Sequence, residues 1–166
     1  MRFLPSRCIA LFMLAAALQG GAALAQPTAP ALAGRTADAQ PFDLAARRDK
    51  VVLLVFWSTD CAVCRDKMAE LRANARGWQG QPFELVGVNT DRTRDGFDRW
   101  RQLVEVTVPA DQRFTQLWRG QPGLRDGFGD VGTLPAAFLI DKAGRVVERY
   151  NGRIPPETWD RIAELL

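Results

Sequence analysis

The most regular feature of the chain is Val51-Val52-Leu53-Leu54-Val55-Phe56-Trp57, an apolar run with no polar interruption. A run this rich in β-branched and aromatic residues predicts a strand buried on both faces, at the centre of a helix-covered sheet. Ser58-Thr59-Asp60 ends it with three residues that each favour a helix start. Cys64, Met68, Leu71 and Ala75 then recur at helical spacing, with Arg65, Asp66, Glu70, Arg72 and Arg76 on the opposite side. That pattern predicts a helix from about Cys61 to Arg76, with Gly77 as its stop. Cys64 falls on the apolar stripe, and Cys61 at its edge, at the open N-terminal end. Phe83 to Asn89 reads as a second strand and closes a βαβ unit. Phe97, Trp100 and Val104 predict a second amphipathic helix, and Phe114, Leu117 and Trp118 a short third one. These aromatic positions read as core. Ala136–Ile140 and Arg145–Tyr150 predict two strands around the turn Asp141-Lys142-Ala143-Gly144. Pro155-Pro156 opens a last helix bearing Trp159, Ile162, Ala163 and Leu166. With an edge strand or hairpin at Arg35 to Leu44, the predicted order is β-β-α-β-α-α-β-β-α. This is an α/β domain in which a parallel unit precedes an antiparallel hairpin.

The N-terminus has a different character. Arg2 and Arg7 precede a continuous apolar run from Cys8 to Leu18, and Ala23-Leu24-Ala25 follows. This is the pattern of a signal peptide cut after Ala25. The run falls short of the ~20 apolar residues of a comfortable membrane span, and an uncleaved anchor is the alternative. The expected organisation is residues 1–25 as signal peptide, 26–32 as a disordered Pro/Ala-rich leader, and 33–166 as one domain. The expected location is the periplasm, with no stable membrane insertion once the signal is removed. The signal segment takes two arginines with it, leaving 20 basic against 19 acidic residues. The charges are interspersed, so nothing tracks a phosphate backbone and nucleic acid is not an expected partner. The chain has no histidine, which excludes cysteine–histidine proteases and most imidazole metal sites.

Cys8 belongs to the signal segment, so the exported domain keeps Cys61 and Cys64. A disulfide that closes so short a loop stabilises little, which argues against a purely structural staple. Thiol–disulfide exchange needs an accessible thiolate and a second thiol near enough to resolve a mixed disulfide. At a helix start the unpaired N–H groups and the dipole favour a negative sulfur. Cys61 is then the nucleophile and Cys64 the resolving thiol. Asp60 and Arg65 are the expected modulators of the Cys61 thiolate. Asp60 adds negative charge and is a candidate helix cap; Arg65 acts oppositely through a solvated, screened side chain. A Gly-rich loop, Gly123 to Gly132, is expected to be mobile and to border the same site.

The segment from Val55 to Arg65, Val-Phe-Trp-Ser-Thr-Asp-Cys-Ala-Val-Cys-Arg, resembles the active-site segment of the thioredoxin superfamily. Thr133-Leu134-Pro135-Ala136-Ala137-Phe138-Leu139-Ile140-Asp141 resembles its cis-proline segment, as found in periplasmic TlpA/ResA-like reductases. The resemblance covers about Ala33 to Leu166. It implies a thioredoxin-like fold, a central mixed sheet flanked by helices, with Asp91 to Gly120 as the family's central insertion. It implies a cis Leu134–Pro135 bond facing the cysteines and a substrate-docking role for Thr133, Leu134 and Pro135, with Trp57 also assigned to that surface. It implies protein thiol or disulfide substrates, an upstream electron donor borne by the membrane, a monomer, and no cofactor beyond the cysteine pair. The sequence departs from the family at four places. Asp60 stands where a tryptophan is usual, and Ala62-Val63 where a proline is usual. Lys67 replaces a frequent glutamate, and Val55 the buried aspartate of thioredoxins. Asp66 and Glu70, on the solvated face, are poor replacements for the missing acid.

Two other readings use the same residues. Two thiols do not complete a zinc site but suit two-coordinate Cu(I), which makes a copper-handling module the alternative of a different class. Ser58, three residues before Cys61, suits a peroxiredoxin-like peroxidase, although Leu54 stands where that pattern wants proline.

Overall fold

The computed structural model describes residues 28–166. The signal segment, its cleavage point and Cys8 lie outside the described residues.

Strand β3 (Val51–Trp57) is buried at every position. It pairs in parallel with β4 (Phe83–Asn89) on one side and antiparallel with β7 (Ala136–Ile140) on the other. Strands β5 (Thr115–Trp118) and β8 (Val146–Asn151) complete a mixed sheet of order β5-β4-β3-β7-β8. Side-chain alternation divides the core in two. On one face Val51, Leu53, Val55 and Trp57 pack with Cys64, Met68 and Leu71 of α1 (Ala62–Gly77), Phe97 of α2 (Arg94–Thr107) and Ile162 of α3 (Glu157–Leu165). On the other, Val52, Leu54 and Phe56 pack with Leu32, Phe42, Phe128 and Val131. That second face is covered by a small antiparallel sheet of β2 (Pro41–Asp43), β1 (Leu32–Arg35) and β6 (Arg125–Asp126). The fold is thioredoxin-like, as the sequence predicts. Among the described residues no helix is long and apolar enough to cross a membrane.

Three expectations are corrected. Phe114, Leu117 and Trp118 do not form a helix. Residues 115–118 form β5, which adds to the free edge of β4 in the register Val86↔Thr115 and Val88↔Leu117. Helical spacing over so few residues is ambiguous, and here the alternation decides it, since Leu117 faces one core and Phe114 and Trp118 pack on the other. The leader is not free from Thr28 onward. Thr28 bridges Arg145, the Ala29 N–H donates to the Gly144 carbonyl at 2.8 Å, and Leu32 is fully buried. The Gly-rich stretch is a built element, since it carries β6, and its Phe128 and Val131 fill the core face away from the helices.

The β7–β8 turn depends on Asp141. Its carboxylate accepts from the Ala143 and Arg145 N–H groups at 3.0 and 2.9 Å and from Arg145 Nε at 2.8 Å. Burial by itself would raise this carboxyl. The hydrogen bonds and charge of Arg145 outweigh that effect and hold the group below its ordinary value. A depressed folded-state pKa contributes stability above the unfolded value, and that stability is lost as pH falls through the folded one. Asp141→Asn is therefore expected to cost about 1–2 kcal/mol at pH 7. Urea melts should show the gap to the parent protein closing as pH falls below the ordinary carboxylate range of ~4. A gap that stays constant with pH would mean that the charge contributes nothing.

Candidate active site

The C-terminal ends of the parallel strands β3 and β4 point the same way, and the loops beyond them meet. Trp57 is the last residue of β3 and is fully buried. Its carbonyl accepts from the Thr90 N–H and hydroxyl at 2.8 and 3.1 Å. Its indole N–H donates to Gln116 Oε1 at 3.0 Å, and its ring lies 4.4 Å from Trp100 and 6.3 Å from Phe97, between centroids. Trp57 therefore presents no surface to a substrate, and the expectation that it does is corrected. Such an indole is retained because its apolar bulk fills the core while its N–H finds a partner.

Beyond Trp57 the chain turns into α1. Asp91, after β4, holds this turn: its carboxylate accepts the Thr59 N–H at 2.8 Å and the Thr59 hydroxyl at 2.7 Å. Gly96 permits this approach. A Cβ there would come within 3.0 Å of both Asp91 Oδ2 and Thr59 Oγ1. The sequence reading missed Asp91, Gly96 and Gln116. Asp91 had one available signal, a polar residue just past the C-terminal end of a parallel strand.

Cys61 is the N-cap of α1. Its backbone is extended (φ −83°, ψ 104°), and its Sγ accepts the Cys64 N–H at 3.1 Å. Serine, threonine, aspartate or asparagine usually takes this place; here sulfur does. Asp60 is thus not the cap. It is exposed, and its own N–H donates to Ser58 Oγ at 3.1 Å. Arg65 is exposed, as expected, but tethered, with Nη1 donating to the Thr59 carbonyl at 2.5 Å. The Cys61–Cys64 disulfide is formed, with a Cα–Cα distance of 5.2 Å. Cys61 is partly exposed, whereas Cys64 is 1% exposed within the helix-side core.

The Leu134–Pro135 peptide is cis. The β3–β7 register pairs Phe56 with Ala136, which places Pro135 beside Trp57, at the active end of the sheet. Pro135 itself is buried. Thr133 is exposed and Leu134 partly so, so these two form the accessible part of the segment. Neither backbone group of Leu134 takes a partner among the described residues, whereas the Gly152 N–H donates to the Pro135 carbonyl at 2.8 Å. A groove of about 400 Å³ runs from Leu134 past Ser58, Thr59 and Asp60 to Asp91 and Arg99.

Lys67 is buried one turn after Cys64 and donates to both Glu70 oxygens, at 2.7 and 2.8 Å. Trp159 donates to the same carboxylate at 3.1 Å. Burial pushes Glu70 up, but the hydrogen bonds from Lys67 and Trp159 and the charges of Lys67 and Arg153 hold it below its ordinary value. Glu70 therefore stays ionised and committed to Lys67 at neutral pH, in keeping with its dismissal as a proton carrier. Val55 is buried in the core.

The comparisons with known proteins agree with this geometry. The chain is 34% identical to the thiol:disulfide interchange protein HelX of Rhodobacter capsulatus, over 98% of this chain and 90% of that protein. The profile of the AhpC/TSA family matches residues 25–149. This chain belongs to the AhpC/TSA family. Within that thioredoxin-like family it is a thiol–disulfide oxidoreductase homologous to HelX and ResA. The thiol-disulfide oxidoreductase ResA of Geobacillus thermodenitrificans is 29% identical over 66% of this chain, which spans 59% of ResA. A thioredoxin-family thiol:disulfide interchange protein from Chlorobium tepidum superposes with a TM-score of 0.67 at 22% identity, covering 84% of this chain and 95% of that one. At that identity the likeness carries the fold.

The difference in exposure between the two sulfurs predicts their order of reaction. In the reduced protein, iodoacetamide should label Cys61 at least about tenfold faster than Cys64. Peptide mapping after brief labelling measures this, and a faster Cys64 would reverse the assigned roles.

Proposed function

We propose that this AhpC/TSA-family protein is exported to the periplasm and there reduces disulfides in other polypeptides. The observation that carries this reading is a partly exposed cap sulfur, Cys61, bonded to the buried Cys64 at the end of the sheet where the Leu134 backbone has no partner among the described residues. An extended polypeptide would pair with that backbone and bring its own disulfide over Cys61. The Cys61 thiolate attacks one substrate sulfur, a mixed disulfide forms, and the other substrate sulfur leaves as a thiolate. Cys64 then loses its proton and attacks Cys61 Sγ, which releases the first substrate sulfur as a thiolate that takes up a proton. Two electrons have moved to the substrate, and the Cys61–Cys64 disulfide remains. A two-electron thiol donor at the membrane would restore the dithiol. No cofactor besides the cysteine pair is called for, and a monomer suffices.

The direction follows from charge. In strong oxidants the protein stabilises the reduced form, which makes the disulfide easy to reduce. Here Ala62 and Val63 supply no charge between the cysteines, and Asp60 places a carboxylate beside Cys61. Arg65 opposes Asp60, yet both groups are exposed and screened. A peroxidase reading has less support, because Leu54 is fully buried in β3 and Ser58 Oγ is occupied by the Asp60 N–H.

Cys64→Ser should accumulate mixed disulfides with exported proteins, visible on non-reducing gels, and Cys61→Ser should accumulate none. The potential, set against a glutathione or dithiothreitol buffer, should lie nearer about −270 mV than about −120 mV. Asp60→Asn should make it more oxidising by on the order of 10 mV, since ~0.5 kcal/mol of screened charge is about a third of the 30 mV that corresponds to a tenfold change. A parent potential near −120 mV would make the protein a disulfide donor. The exported form should have the intact mass of a chain beginning at Gln26, and full-length chain in the membrane fraction would favour an anchor.

A further inference from the structure

The groove beside Cys61 is charged unevenly along its length. At the Cys61 end Asp60 lines it and is exposed, and its carboxylate has no partner among the described residues. At the far end Arg92, from the loop before α2, and Arg99, from α2 itself, both line the groove and are exposed. We infer that the groove selects its polypeptide by the order of charges. A basic residue next to the reactive cysteine faces Asp60, and an acidic residue about three positions away faces Arg92 and Arg99. This rests on the disulfide-reductase reading above and adds to it a class of substrate.

The two arginines are what α2 leaves over. Arg94, Asp98, Arg101 and Glu105 recur at i, i+4, i+7 and i+11 and pair along a face of their own. Arg94 Nε lies 3.1 Å from Asp98, and Arg101 Nη2 lies 3.4 Å from Glu105 and 3.1 Å from Asp38. The face turned to the groove carries Gly96 and Arg99, and none of the α2 acids is in the lining. Neither Arg92 nor Arg99 makes a hydrogen bond or ion pair among the described residues, not even with Asp95, which lies within a turn of both.

The other charges nearby are already committed. Asp91 also lines the groove, but its two oxygens take the Thr59 N–H at 2.8 Å and the Thr59 hydroxyl at 2.7 Å. Arg65 does not line the groove, and its Nη1 donates to the Thr59 carbonyl. An incoming chain therefore meets one unpartnered carboxylate beside the sulfur and two unpartnered guanidinium groups further on. A guanidinium fork matches a carboxylate in shape and charge. Exposed pairs add little affinity each, whereas like charges brought together reject a wrong partner and opposite charges speed encounter. The effect therefore falls on the choice between substrates. Three extended residues cover on the order of 10 Å, which carries the acid past Asp60 toward α2.

Two peptides of one composition test the order. Glu-Gly-Arg-Cys-Arg-Gly-Glu carries its bases inside and its acids outside, and Arg-Gly-Glu-Cys-Glu-Gly-Arg reverses them. Each has the same residue order in both directions, so the direction in which the chain lies does not matter. Each is presented as its disulfide-linked dimer to the reduced protein in a single turnover. Its rate is divided by its rate with dithiothreitol, which removes the intrinsic reactivity of the peptide sulfur. At low salt the first peptide should be reduced at least about fivefold faster than the second. The ratio should fall below about twofold in about 1 M sodium chloride, where the screening length is ~3 Å, and also in the double variant Arg92→Gln, Arg99→Gln. Equal rates at low salt, faster reduction of the second peptide, or a ratio indifferent to salt and to the arginine substitutions would overturn the assignment while leaving the reductase reading intact. Reduction of neither peptide would overturn both.

Discussion

The burial of β3 on both faces is the constraint from which the rest of the molecule follows. A strand apolar at every position must be covered above and below. The helices take one face; the small antiparallel sheet, with Phe128 and Val131, takes the other. Parallel pairing with β4 then brings two strand ends and their loops to one edge. At that edge Trp57 is fixed at its carbonyl by Thr90, at its indole by Gln116 and at its ring by Trp100. A chain leaving so rigid a point has little freedom in where its next residues go.

That rigidity passes to the cysteines in two short steps. Asp91 fixes Thr59 by two hydrogen bonds, and Cys61 then begins α1 as its own cap. The arrangement separates two roles that the same element could have mixed. Cys61 stays at the surface, where the Cys64 N–H faces its sulfur; Cys64, one turn on, is sealed by the sheet. Charge at the mouth comes from Asp60 and Arg65, both exposed and screened by solvent. The stronger ion pair, Lys67–Glu70, lies further along α1 and is closed by Trp159 of α3. Its members satisfy each other.

What the sequence by itself determined was whatever rests on local periodicity and local chemistry. The run at Val51–Trp57 predicted a doubly buried strand, and the stripe of Cys64, Met68 and Leu71 a helix face turned toward it. Cys61 and Cys64 therefore had to sit at a helix start, one sulfur outside and one inside. The Asp141 turn was legible too, since its residues are contiguous. Tertiary structure decided everything that depends on partners distant in the chain. Residues 115–118 became β5 because the edge of β4 was open to them, a fact no short window contains. Trp57 turned inward because Gln116, from that same strand, offers its indole an acceptor. Asp91 became the clamp on Thr59 because parallel strands end together, and Asp60 lost the cap because Cys61 already held it. Periodicity reports which face of an element is buried; it carries no record of which distant side chain arrives there to pair.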